Sequence, residues 1–195
     1  MRNKAILTVL MALAVVPMAA AVLMYASNWR PKATVNVGEL IVPVRPIADH
    51  VLQTLDGKTM SLSKLHGKWT MLYFDSSFCT EACIKSLYLM RQTHIAQGKE
   101  SGRVQRVFVV TDTVAAPALT SQLAEYPGMH VLTGDEKSLA ELARNFGITE
   151  GQLAQQHNVY LIDPQGNLMM RYAPGVDPAG IRKDLKRLLE YSWTG

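Results

Sequence analysis

After Met1-Arg2-Asn3-Lys4 the chain carries no charge from Ala5 to Ser27, AILTVLMALAVVPMAAAVLMYAS. No other feature constrains the fold as much, because a run this apolar is long enough for the ~20 residues of a membrane-spanning helix. The chain therefore divides into a segment for the bilayer and a body that folds in water. Arg2 and Lys4 favour a cytoplasmic N-terminus, although Arg30 and Lys32 on the other flank reduce the asymmetry. That orientation predicts a single-pass protein of the inner (cytoplasmic) membrane, with its body on the periplasmic, extracytoplasmic side. Ala19-Ala20-Ala21 offers the small-residue site of a cleaved signal peptide, which is the competing reading. Apolar character continues past that site to Tyr25 and Trp29, which suit an interfacial aromatic belt and favour a retained anchor. In both cases the body meets an oxidising compartment.

Three stretches follow from this division: residues 1–27 as the N-terminal membrane anchor or signal peptide, 28–46 as an extended linker punctuated by Pro31, Pro43 and Pro46, and 47–195 as one folded domain. The net charge of +4 is mild and its cations are scattered, so nucleic acid is not an expected partner. Within the domain, VLQTLDGKTMSLSKL predicts two short strands around an Asp56-Gly57 turn. WTMLYFDS, Trp69 to Ser76, is continuously apolar and aromatic, as a central strand covered on both faces requires. A helix follows it to about Gly98, with Thr80 as cap and Glu81 in its first turn. Two further strand–helix steps lead to Gly147, then to two strands around Asp163-Pro164-Gln165-Gly166-Asn167 and a last helix from Asp177 to about Tyr191. That order predicts an α/β thioredoxin-like domain: a central, mostly parallel sheet with a C-terminal β-hairpin, preceded by one N-terminal transmembrane helix.

The only cysteines, Cys79 and Cys83, lie in the loop SSFCTEACIKS between the central strand and its helix. Two cysteines are too few to staple a small scaffold, so reactivity is the better reason for them. On the first turn of a helix a thiolate is stabilised by unsatisfied backbone N–H groups. Residues four apart on a helix share a face, with Cα atoms about 6 Å apart, close enough for a disulfide or for two sulfurs on one ion. The spacing does not choose between a structural disulfide, a redox couple and a metal site, and it exceeds the Cys-x-x-Cys of thioredoxin-type redox motifs by one residue. A two-thiolate site is softest towards Cu(I), and a neutral imidazole would complete a trigonal set that also serves Cu(II). Of His50, His66, His94, His130 and His157, the last is the best candidate, because it opens the strand-like run NVYLID that would enter the sheet near the cysteine loop. Asp75 has two readings, as a residue that orients a ligand or accepts a proton, or as one that satisfies loop backbone, and the sequence assigns it to neither. The methionines at 71, 90, 169 and 170 sit in apolar periodic runs and read as core.

The blocks YFDSSFCTEACIKSLYLM, VFVVTDT, VLTGDEKSLAELARNFGI and QQHNVYLIDPQGNLMMRY, spread from about Ile47 to Tyr191, resemble the Sco/SenC family, thioredoxin-like copper proteins of cytochrome c oxidase assembly. The family's Cys-x-x-x-Cys and its distant histidine fall on Cys79, Cys83 and His157. The resemblance implies a divergent, membrane-anchored metallochaperone that binds copper, Cu(I) or Cu(II), through those three residues. Its implied partner is the copper-bearing subunit of a cytochrome c oxidase, or another assembly factor. The chain departs from the family at Thr80, where a proline is usual, and at Gln156, where an acidic residue often precedes the histidine. The alternative is an enzyme, an extracytoplasmic thiol-disulfide oxidoreductase in which Cys79 and Cys83 are catalytic. Peroxidase chemistry stands third, for want of a constellation around a peroxidatic cysteine.

Overall fold

The computed structural model describes residues 2–27, 36–149 and 151–192. Trp29, Arg30, Pro31 and Lys32 lie outside the described residues. Two compact units result, residues 1–35 and 36–195. In the first, helix α1 (Arg2–Ala26) continues through Pro17 and is long and apolar enough, by length and composition, to cross a membrane.

The second unit is an eight-stranded sheet with helices on both faces. Its elements are β1 (Glu39–Pro46), β2 (Val51–Thr54), β3 (Thr59–Ser61), β4 (Trp69–Asp75), α2 (Glu81–Ile95), β5 (Val104–Val110), α3 (Ala116–Leu123), β6 (Met129–Thr133), α4 (Glu136–Phe146), β7 (Val159–Ile162), β8 (Asn167–Tyr172) and α5 (Pro178–Tyr191). The strand order is β1-β8-β7-β4-β5-β6-β2-β3. All seven residues of β4 are buried, as its unbroken apolar run requires of a strand covered on both faces. The pleat sorts them: Trp69, Met71 and Tyr73 enter one core with α2 and α5, whereas Leu72 and Phe74 enter the other with α4.

Two expectations are corrected. The sheet is mixed rather than mostly parallel: only the β4–β5 and β5–β6 pairs are parallel. The hairpin β7–β8 docks antiparallel on β4, and the hairpin β2–β3 docks antiparallel on β6, so the crossover helices serve only the centre. The folded unit also begins earlier than the prolines indicate. Glu39–Pro46, within the expected linker, is an edge strand paired with β8. Proline is tolerated there because an edge strand leaves every second N–H without a ladder partner. Asp184 on α5 secures its start, accepting from the Val37 and Gly38 N–H groups at 2.9 and 3.0 Å.

Local signals explain the ends of the elements. The Asp135 carboxylate caps α4 through the Ser138 N–H, and Gly147 closes the same helix at φ 68°, a conformation that favours glycine. In the β7–β8 turn the Asp163 carboxylate accepts from the Gln165 and Asn167 N–H groups at 2.9 and 2.8 Å.

Candidate functional site

The end of β4, the loop after it and the residues before β7 come together at one edge of the core. Cys79 and Cys83 form a disulfide with Cα atoms 5.0 Å apart. Only Cys83 is in the helix, as the third residue of α2; Cys79 precedes the capping residue Thr80, whose side chain makes no capping hydrogen bond. The sequence expectation of two cysteines on one helical face is thus corrected, and the reason is a turn. The Cys79 N–H donates to the Ser76 carbonyl at 3.3 Å, and Cys79 takes φ 34°, folding the loop back over the helix start. Both cysteines are buried in the core that holds Tyr73. Phe78, between the turn and Cys79, is 62 % exposed.

Asp112, at the end of β5, fixes this loop. Its carboxylate accepts from the Ser77 hydroxyl and from the Ser77 N–H at 3.3 Å, and the Ser77 hydroxyl oxygen accepts from the Ala115 N–H at 2.8 Å. The cysteine loop is therefore tied to the neighbouring strand–helix connection independently of the disulfide.

His157 reaches the site by register. In the antiparallel pair β4–β7, Tyr73 lies opposite Val159, so one further pleat in each direction sets Asp75 opposite His157. The contact is made: His157 Nδ1 lies 3.1 Å from Asp75 Oδ2 and 3.1 Å from the Tyr73 hydroxyl oxygen. The Tyr73 hydroxyl donates to the same Asp75 oxygen at 2.7 Å, and the Ser76 N–H donates to Asp75 Oδ1 at 2.7 Å. With the tyrosine proton directed at the carboxylate, the proton of His157 belongs on Nδ1, where Asp75 accepts it. Nε2 then keeps its lone pair, the arrangement in which a carboxylate orients a metal-binding imidazole. Burial first, and then the bond to Asp75, push the Tyr73 hydroxyl pKa far above its ordinary value, so it stays a donor.

His157 has φ 46°; among the described residues it and Cys79 are the two non-glycine residues with left-handed backbone. Such strain costs roughly 1–3 kcal/mol and concentrates at functional sites. Both residues that hold it here are candidate copper ligands.

The structure joins Cys79 to Cys83 and bonds His157 to Asp75 and to Tyr73, which shares a core with the two cysteines. The other histidines lie elsewhere: the His50 ring bonds the Asn145 amide at 2.8 Å, His66 lies against the Gly166 turn, His94 ends α2 and His130 is on β6. Among the described residues, no group of three His, Cys, Asp or Glu is assembled as a metal site. Tyr73 and Ser77 carry no signal in the sequence beyond a strand residue and a loop residue. Asp75 stands out there as a carboxylate closing an apolar strand, but its role depends on the β4–β7 register.

The family described as "Transmembrane-like, thioredoxin-like, C-terminal domain" matches residues 69–192. The mitochondrial SCO1 homolog 1 of Arabidopsis thaliana is 28 % identical over 113 residues, 55 % of this chain and 34 % of that protein. The chain therefore spans about a third of that relative's length. A protein of Stutzerimonas stutzeri whose name assigns it copper binding is 26 % identical over 160 residues, 75 % of this chain and 78 % of that protein. Yeast Sco1, solved with copper bound, has the same fold at a TM-score of 0.63 and 20 % identity, over 76 % of this chain and 96 % of that one.

Proposed function

Since the chain belongs to the transmembrane-like, thioredoxin-like C-terminal domain family, as a divergent Sco/SenC member, we propose that it is a membrane-anchored copper carrier that metallates a cytochrome c oxidase. Copper is its cargo, held by Cys79, Cys83 and His157. What supports this reading is a cysteine pair following β4 together with an imidazole, opposite the end of that strand, whose Nδ1 is held by a buried carboxylate. Two sulfurs and one nitrogen are a soft set suited to Cu(I), and the imidazole extends it to Cu(II).

Loading requires the disulfide to open. A partner dithiol transfers two electrons and two protons to it, and is itself oxidised to a disulfide. The two thiols of this chain then give up their protons as their sulfurs bind the cargo. The position of Cys83 in the first turn of α2 favours its thiolate. His157, with a side chain one-third exposed, is the donor nearest solvent and gives copper its way in and out. The partner is the copper-bearing subunit of the oxidase or another assembly factor, and exposed Phe78 offers it an apolar contact beside the buried pair. The body works on the periplasmic side of the inner membrane, α1 being its anchor.

Cys79 is 2 % exposed and Cys83 is fully buried, so in either reading the loop opens before a partner reaches a sulfur. The test is a titration of the reduced full-length protein in detergent with Cu(I) against a competing chelator. About one equivalent is retained, and Cys79→Ser or Cys83→Ser abolishes retention. Loss of all copper to a weak chelator, with a partner disulfide reduced instead, would establish the oxidoreductase.

A further inference from the structure

Arg2, Lys4, Arg30 and Lys32 account for the whole net charge of +4, so the folded unit carries equal numbers of cations and anions. Its cations are unevenly placed. Arg182, Lys183 and Lys186 stand exposed on α5, and Lys99, on the turn Gly98–Arg103, faces them across a groove of about 1080 Å³. Glu190, 3.8 Å from Lys186, is the one acid on the exposed face of α5, because Asp184 is buried beneath the chain entering β1. The groove's other acid, Glu100, is paired with Arg103, whose guanidinium also donates to the Leu189 and Ser192 carbonyls. The groove exceeds the size usual for a small-molecule site and opens widely. What it offers is a positive face.

The same helix receives the tether. Val37 and Gly38 bond to Asp184, and Val37 packs so closely on Gly180 that a Cβ there would stand 2.7 Å from it. The start of the folded unit, Val37 and Gly38, therefore lies on α5, a turn or less from the exposed cations. Eight residues, 28–35, separate Ser27 from Asn36, and at full extension they reach only about 30 Å. With α1 as an anchor, a tether this short keeps the folded unit at high local concentration with respect to headgroups, and cations close to an anionic surface bind it.

We propose that the basic face of α5, with Lys99, rests on anionic phospholipid headgroups and so sets the orientation of the anchored domain. The proposal rests on the reading of α1 as a membrane anchor. Its test is amine acylation, read residue by residue by mass spectrometry, of the full chain reconstituted in vesicles and purified by flotation. One set of vesicles is pure phosphatidylcholine; the other contains one-third phosphatidylglycerol. In the anionic vesicles Lys99, Lys183 and Lys186 react about fivefold more slowly, and roughly 0.5 M salt restores their rates. Lys58, in the β2–β3 turn, and Lys137, on α4 across the sheet, react equally in both. The triple variant Arg182→Gln, Lys183→Gln, Lys186→Gln loses the protection of Lys99. Equal rates at Lys99, Lys183 and Lys186 in the two floating preparations, or a protected Lys99 in the triple variant, would overturn the proposal and leave the face to solvent or an acidic protein. Protein that fails to float with either vesicle would reject the anchor itself, and the proposal with it.

Discussion

Asp75 is buried and bonded to three donors, one of which is the ring of His157. The family's acidic neighbour of the histidine is Gln156 here, and Asp75 supplies a carboxylate from the opposite strand instead. Asn in its place keeps the shape but accepts less strongly and no longer fixes the Nδ1–H tautomer. Asp75→Asn therefore lowers Cu(II) affinity by about 10–100-fold, with a smaller loss for Cu(I), which depends more on sulfur. The ¹⁵N spectrum of His157 checks the cause: the Nδ1–H tautomer of the metal-free protein gives way to a mixture. An unchanged tautomer would mean that Asp75 is only structural. At this scale the closeness of Cys79 and Cys83 was legible from their spacing, whereas the choice of His157 as third ligand rests on the proposed function. The partnership of Asp75 with His157 was not legible, because it depends on which residues of β4 and β7 face each other, and no local pattern encodes a pairing 82 residues apart.

Elements were legible where one period dominates. β4 declared itself by five apolar or aromatic residues among its seven, and α4 by an aspartate cap and a glycine stop. β1 did not, because an edge strand has little burial to pattern it and its two prolines resemble a linker. The mixed character of the sheet was hidden for a related reason: hairpins and crossovers use similar strands, and docking on the central strand decides direction. What holds β1 in place is Asp184, whose buried carboxylate accepts two backbone N–H groups. Asp184→Ala leaves those groups without a partner and costs about 1–3 kcal/mol. Urea unfolding of the reduced and oxidised protein measures it, and the loss is the same in both, since the disulfide lies elsewhere. No loss would show that β1 is held by its ladder with β8 alone.

At the scale of the molecule, oxidation state decides what the chain can do. Oxidised, it has a buried disulfide, an oriented imidazole and no assembled metal site among the described residues. Reduced, it has two thiols, one at the start of α2 and one in the Cys79 turn, to which the proposed site adds His157 Nε2. The claim beneath all of this is that three named donors bind one ion. It is tested most directly by X-ray absorption at the copper edge of the reduced, Cu(I)-loaded protein. The account predicts two sulfur scatterers near 2.2–2.3 Å and one nitrogen near about 2.0 Å, with the nitrogen lost in His157→Ala and both sulfurs kept. A spectrum with fewer than two sulfurs, or one that His157→Ala leaves unchanged, would contradict it.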